Sequence, residues 1–221
     1  MPALAIVVLI SGNGANLQAI IDAKRQGLPV DIRAVISNQA DAFGIVRAKK
    51  VRIPAHVISH SDYPSRDTFE AALKQTIDRY SPQTIVLAGF MRKLGSTFVA
   101  HYAGHIINIH PSLLPQYPGL HTHRRVLAAG DQEHGASIHF VTDAVDAGPL
   151  ICQARLKVHP EDTEDSLKYR VQQLEHFIYP KVLEWLARGR LILQDHQVLL
   201  DGQLVSESGV QIAFQNGFHA V

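Results

Sequence analysis

Short apolar runs alternate with amphipathic stretches along most of this chain, and the alternation predicts a fold. Ala3–Ile10 is apolar at every position and rich in valine and isoleucine, as in a strand buried on both faces. Ala15–Gln26 follows with Leu17, Ile20 and Ile21 at helical spacing, and Gly27 closes it. Ile32–Ser37 reads as a second strand, Phe43–Lys50 as a short helix and Ala55–Ser59 as a third strand. Ser65 is placed to cap a helix over Arg66–Tyr80, whose Phe69, Leu73 and Ile77 form one apolar face. Thr84–Ala88 and His105–Ile109 read as two further buried strands. This rhythm predicts a doubly wound α/β fold: a mostly parallel, mixed sheet with helices on both faces.

The rhythm breaks after His110. Pro111, Pro115 and Pro118, with Gly119 behind them, exclude both helix and central strand. What remains is a structured loop at the C-terminal end of a strand, where open α/β sheets bind ligands. Gly135–Val141 and Pro149–Val158 are the arms of an expected antiparallel hairpin joined by residues 142–148. Asp165–Arg188 has the spacing of a long helix, with Leu167, Val171, Leu174, Ile178, Val182 and Trp185 toward the core and a kink at Pro180. Residues 1–190 are expected to form a single domain. Residues 191–221 differ, for they contain Asp195, Asp201 and Glu207 but no lysine or arginine. Short strands at Leu191–Leu193, Gln197–Leu200 and Gln203–Val205, with a turn at Asp201-Gly202, predict an acidic extension packed as a small meander.

Composition narrows the function classes. At 221 residues and 46% hydrophobic, the chain can bury a core that needs no disulfide staples. Its one cysteine, Cys152, lies in an apolar run; a disulfide framework and a multi-cysteine zinc site are excluded, and a reducing cytoplasm is expected. A formal net charge of +1 offers no global attraction to nucleic acid or an anionic membrane. No run reaches the ~18 consecutive apolar residues of a membrane span. The apolar start also lacks the basic residues that open a signal peptide. The 13 histidines stand out, because imidazole titrates near neutrality and ligates metals.

Three segments carry candidate chemistry. Ser11-Gly12-Asn13-Gly14-Ala15-Asn16 joins the first strand to the first helix, and its glycines and helix-start N–H groups either cradle a phosphate or merely connect the two elements. Leu17 stands where the dinucleotide fingerprint needs a third glycine. Asn108 and His110 face the same side of their strand; the pair can donate to the oxyanion of an acyl transfer, or be satisfied buried polar groups. Asp143 and Asp146 lie in the 142–148 loop, either as turn formers or as a partner that favours the imidazolium of His110. His121-Thr122-His123 has no cysteine or acidic ligand at a useful spacing, so no metal is expected. Arg124-Arg125 reads as a solvated helix face or a substrate rim.

Together these segments resemble the folate-dependent phosphoribosylglycinamide formyltransferases. The resemblance is carried by Val7–Leu17, Val86–Arg92, Ile107–Pro115, Tyr117–His123, His139–Asp143 and Asp146–Pro149, in order from about residue 5 to residue 190. It implies the formyltransferase fold and transfer of a formyl group from the co-substrate 10-formyltetrahydrofolate to the primary amine of glycinamide ribonucleotide, in purine biosynthesis and without a metal. It implies Asn108, His110 and Asp146 as the catalytic trio. It places the phosphate on the backbone of Gly14, Ala15 and Asn16, and the ribose hydroxyls on Glu175, within Gln172-Gln173-Leu174-Glu175. For the folate it implies Arg66, Met91, Arg92, Lys93 and Leu94, with Asn108 and the loop residues Thr142, Asp143, Ala144, Val145 and Asp146. A cis peptide is implied at Leu114–Pro115. Ala15 departs from the serine or threonine usual in the family, which removes a hydroxyl donor but leaves the backbone N–H.

In this chemistry the amine attacks as a neutral nucleophile. Asn108 and His110 are expected to stabilise the tetrahedral oxyanion, and Asp146 to raise the His110 pKa and help the proton reach the leaving nitrogen. The expected partners are the two small molecules, with the protein a monomer or homodimer. Two alternatives stand beside this reading: a formyltetrahydrofolate deformylase, which uses water as acceptor, and a non-catalytic nucleotide-binding module on the same scaffold. Methionyl-tRNA formyltransferases resemble the chain less, being longer by a tRNA-binding domain.

Overall fold

Strands form where the apolar runs predict them. The computed structural model describes residues 2–215 and 219–220, and the chain divides into two compact units at Asn108/Ile109. β1 (Leu4–Ile10), β2 (Val30–Ser37), β3 (Ala55–Val57) and β4 (Thr84–Leu87) of the first unit, and β5 (Ile106–His110), which starts in that unit and ends past Asn108, are all parallel, in the order β3-β2-β1-β4-β5. Every residue of β1 is buried, as its unbroken apolar run requires. The strand order reverses at β1, the kind of switch point beside which open α/β sheets bind ligands.

The helices of this unit are α1 (Ala15–Arg25), α2 (Phe43–Lys50), α3 (Arg66–Asp78) and α4 (Ser96–His101). α3 starts in a capping box: the Ser65 hydroxyl accepts from the Thr68 N–H, and the Thr68 hydroxyl accepts from the Ser65 N–H. Phe69, Leu73 and Ile77 are buried, as their spacing predicts. α4 was not expected, since six residues are too few to display a helical period.

The start of α1 depends on two glycines. Gly14, with φ +71, precedes the helix in the left-handed region, and a Cβ there would lie 2.8 Å from Gly44 Cα. A Cβ on Gly44 would meet Ile10 Cδ1 at 2.3 Å. A side chain at Gly14 forces the start of α1 away from α2, and one at Gly44 displaces the Ile10 side chain. At Gly14 the backbone adds its own penalty of about 1–2 kcal/mol.

The second unit holds α5 (Thr122–Ala129), the antiparallel pair β6 (Glu133–Phe140) and β7 (Leu150–Lys157), and α6 (Glu164–Ala187). The hairpin is the one predicted. α6 continues through Pro180 as one helix of 24 residues, with Leu167, Val171, Leu174, Ile178, Val182 and Trp185 buried. The predicted short strands become β8 (Leu191–Gln194), β9 (Gln197–Leu200) and β10 (Gln203–Leu204), which form a separate antiparallel sheet. Beyond them, β11 (Val210–Gln215) pairs in parallel with β7, and β12 (His219–Ala220) pairs antiparallel with β11. Residues 216–218 and 221 of the acidic extension lie outside the described residues. The fold is the expected α/β class, with a mixed and mostly parallel sheet.

Candidate active site

In the first unit, Ser11 ties the loop after β1 to the loop after β4. Its N–H donates to the Gly89 carbonyl at 3.0 Å, while its hydroxyl accepts from the Met91 N–H at 2.7 Å and donates to Asn38 Oδ1. Arg47 of α2 braces the same turn from outside, donating from Nε to the Asn13 carbonyl at 2.8 Å and from Nη1 to Gln18 Oε1 at 3.1 Å. The turn is therefore preset, and the N–H groups of the first turn of α1 lie beyond reach of intrahelical acceptors, as at any helix start. After β4, Met91, Arg92 and Lys93 are exposed, while Leu94 is buried and anchors the segment.

In the second unit, His110 ends β5 inside a cage of backbone and carboxylate groups. It is 5% exposed. Its Nε2 lies 2.9 Å from the Tyr117 carbonyl, which can only accept, so Nε2 carries a hydrogen. Its Nδ1 faces Asp146 Oδ2 at 3.4 Å. The same Oδ2 accepts the Gly119 N–H at 2.9 Å, and the other carboxylate oxygen lies 3.7 Å from His139 Nε2. His139 is buried, with Nδ1 against the Phe140 carbonyl at 2.9 Å. Asp146 sits at φ +50, and Gly148 behind it cannot hold a side chain because a Cβ would come within 1.8 Å of the Phe140 carbonyl oxygen. Asn108 is half-buried between the fully enclosed Ile107 and Ile109, and strand alternation turns it to the His110 side of β5.

The proline-rich loop that supplies the Tyr117 carbonyl is wired from below. The Ser137 hydroxyl donates to the Ser112 carbonyl at 2.6 Å and accepts from the Leu114 N–H at 3.1 Å. Gln153 Nε2 donates to the Leu114 carbonyl at 2.7 Å and to Ser137 Oγ at 2.9 Å. Leu114–Pro115 is cis. The Tyr117 hydroxyl donates to Asp131 at 2.6 Å, and the Arg125 guanidinium lies over the Tyr117 ring at 5.1 Å and donates to the Pro118 carbonyl. Arg125 therefore supports the loop rather than forming a free rim.

Asp146 acts on His110 in the expected direction, but burial outweighs it. Burial lowers the His110 pKa below its ordinary value, and the Tyr117 carbonyl and Asp146, which act to raise it, do not offset the loss of solvation. His110 is neutral at pH 7 rather than an imidazolium. For Asp146, burial pushes the pKa up, but hydrogen bonds from His139 and the Gly119 N–H, with the nearby His110, hold it below the usual carboxylate value. The pair thus rests as neutral imidazole beside carboxylate.

Two of the remaining histidines have turned to each other. His123 Nδ1 lies 3.0 Å from His134 Nε2, so one ring donates and the other accepts, and among the described residues no cluster is arranged to hold a metal ion. Burial is the main cause that lowers both pKa values from 6.5, to about 4 for His123 and about 3 for His134. As pH falls below 6.5 the unfolded chain takes up these protons first. The stability contributed by the neutral pair is therefore complete above that pH and lost progressively on the way down to about 4 and then 3. Thermal melts should show a midpoint that declines through this window. A His123→Leu, His134→Leu variant should show a shallower decline, and equal slopes would contradict the assignment.

The other predicted positions lie where their roles require different things of them. Glu175 is buried on α6, with Gln172 and Gln173 half-buried beside it, and burial together with Glu175 raises the pKa of the fully enclosed Tyr179. Thr142 is half-buried, whereas Asp143, Ala144 and Val145 are exposed. Arg66 is exposed at the start of α3. Cys152 is buried, its thiol pushed up to about 12, which fits an inert core residue. The sequence reading missed His139, Ser137 and Gln153, although a polar residue inside each apolar strand was the available signal.

Fold and site define an α/β protein with a buried, carboxylate-paired histidine at the C-terminal end of a sheet strand. The chain belongs to the formyl transferase family, whose model matches residues 4–183. It is 54% identical to the phosphoribosylglycinamide formyltransferase of Escherichia coli strain K12 over 92% of this chain and 97% of that protein. Among solved structures, the phosphoribosylglycinamide formyltransferase of Coxiella burnetii superposes with a TM-score of 0.92 at 62% identity, covering 95% of this chain and 99% of that one. The glycinamide ribonucleotide transformylase 1 of Symbiobacterium toebii gives 0.86 at 41% identity, covering 90% and 94%.

Proposed function

We propose that this protein is a phosphoribosylglycinamide formyltransferase, moving a formyl group from 10-formyltetrahydrofolate to the amine of glycinamide ribonucleotide in purine biosynthesis. The observation that carries the reading is the pairing of the buried His110, at the end of β5, with the Asp146 carboxylate, in a chain 54% identical to an enzyme of that name. The main-chain N–H groups of Gly14, Ala15 and Asn16 hold the phosphate, with Gln172, Gln173 and Glu175 at the ribose. Arg66, Met91, Arg92, Lys93 and Leu94, with the 142–146 loop, hold the folate.

The chain's own residues then divide the work. The Asn108 carboxamide donates to the formyl oxygen as negative charge develops on it. His110, neutral at the outset, takes up positive charge as the proton leaves the attacking amine, and the ionised Asp146 stabilises the imidazolium that forms. The proton passes on to the nitrogen that loses the formyl group. No step here calls on a metal. Residues 1–190 act as one catalytic domain, and the enzyme works on small molecules in the cytoplasm; among the described residues no helix is long and apolar enough to cross a membrane. A deformylase is the weaker reading, since the high-identity relatives bear the transferase name.

The test follows loss of the formyl group from 10-formyltetrahydrofolate by absorbance, with and without glycinamide ribonucleotide. Turnover that needs the ribonucleotide is the expected result. Turnover in its absence would make the protein a hydrolase, and ribonucleotide binding with no turnover would leave a binding module.

A further inference from the structure

Glu70 breaks the apolar face of α3. It is 7% exposed, between Phe69 and Leu73, where a carboxylate is costly to bury. Its Oε1 accepts the Gly95 N–H at 2.8 Å, and the Nε of Arg66, one turn earlier on α3, lies 3.9 Å from the same oxygen. Gly95 follows Leu94 directly and caps α4. A Cβ on Gly95 would stand 2.8 Å from Glu70 Oε2 and 3.4 Å from Arg66 Nε, so the carboxylate is packed flat on a main chain that only glycine leaves open. A second carboxylate of α3 fastens the far end of α4: Asp78 accepts from the Tyr102 hydroxyl at 2.6 Å and pairs with Lys74 at 3.2 Å and His101 at 3.7 Å. α4 is thus clasped at both ends, but only the Glu70 clasp reaches the 91–95 segment and Arg66.

We infer that Glu70 is a positioning residue for the formyl donor, its buried carboxylate holding the Arg66 guanidinium and the 91–95 segment in one arrangement. The inference rests on the reading that Arg66 and Met91–Leu94 bind the folate. Packing alone does not call for an acid here, since an apolar side chain would fill the space without the desolvation cost. A carboxylate can accept from a main-chain N–H while its charge orients a guanidinium, which a neutral acceptor does less strongly.

The test is steady-state kinetics on four single variants and one double variant of the full chain, with thermal midpoints alongside. Glu70→Gln keeps an oxygen for the Gly95 N–H but takes the counter-charge from Arg66. Its KM for 10-formyltetrahydrofolate should rise about tenfold, with kcat and the ribonucleotide KM within about twofold of wild type. Gly95→Ala keeps the charge but displaces the segment, and should raise the same KM. Asp78→Asn should lower the thermal midpoint and leave all three kinetic constants alone. In an Arg66→Ala background, Glu70→Gln should add less than it does alone, because part of its effect runs through Arg66. If Arg66→Ala raises the folate KM while Glu70→Gln and Gly95→Ala do not, the positioning role is overturned and the folate assignment survives. If Arg66→Ala leaves that KM unchanged, the folate assignment fails and the inference with it. A Glu70→Gln variant that loses both KM values and kcat in step with its thermal midpoint is merely less stable, which also overturns the proposal.

Discussion

Asp146→Asn lowers kcat by about 10²–10⁴-fold, with KM for both substrates nearly unchanged. The substitution conserves shape, and the amide oxygen can still accept the Gly119 N–H that places the loop. What it removes is the negative charge 3.4 Å from His110 Nδ1. In the resting enzyme that charge does not make His110 an imidazolium, because burial has the larger effect. Its value appears when the attacking amine gives up its proton and positive charge arrives on a ring with almost no access to water. The pH dependence separates this from a structural defect. Activity of the wild type falls on the acid side as His110 is protonated, at a pH below its ordinary value. Asp146 acts to raise that pKa, so Asp146→Asn should move the acid limb to still lower pH while the plateau drops. A variant with near-normal kcat, or with an unmoved acid limb, would sink the role given to Asp146.

His139 shows how much of this site could be read from residue order and how much could not. His110 and Asp146 were legible because each lies in a short segment with its own chemical logic, a strand end followed by prolines and an acidic turn before Gly148-Pro149. The groups that set their properties are different in kind. The Tyr117 carbonyl and the Gly119 N–H are main-chain atoms with no residue signature, presented by a loop whose left-handed residues include Tyr117 and Gly119 themselves. Ser137 and Gln153 were visible as polar interruptions of apolar strands, but their partners are carbonyls and an N–H of the proline-rich loop, distant in sequence. The net shift of the His110 pKa was hidden for the same reason: a carboxylate neighbour that raises it can be read from a motif, whereas the depth of burial that outweighs it belongs to the assembled fold.

The elements divide in the same way. β1 and α3 were legible because seven buried residues in a row, or three apolar residues on one helical face, admit a single period. α4 is too short to show a period. Residues 210–213 of β11 alternate half-buried and exposed, and the parallel pairing with β7 depends on a strand more than fifty residues earlier. Gly95 had no signal at all in the sequence, since its need for glycine comes from the Glu70 carboxylate lying on its backbone.

Asn108→Ala should lower kcat by about 10²–10³-fold, the usual loss for one oxyanion donor, equivalent to about 2.7–4 kcal/mol. The residue is suited to a change made only in the transition state. It is neutral, so its donor strength does not vary with pH, and it sits on a sheet strand flanked by the buried Ile107 and Ile109, which hold its backbone in place. Truncation to alanine leaves β5 its hydrogen bonds to β4, where Asn108 pairs with Leu87, so the thermal midpoint should change little. Two features would distinguish this loss from that of Asp146→Asn. The acid limb of the pH profile should stay where it is in the wild type, because no titrating neighbour of His110 has been removed. Binding of the two substrates should also be nearly unaltered, since charge on the formyl oxygen develops only during attack. If Asn108→Ala instead raised KM for the folate tenfold or more with kcat intact, the carboxamide would be a ground-state contact, and the oxyanion role given to it would fall.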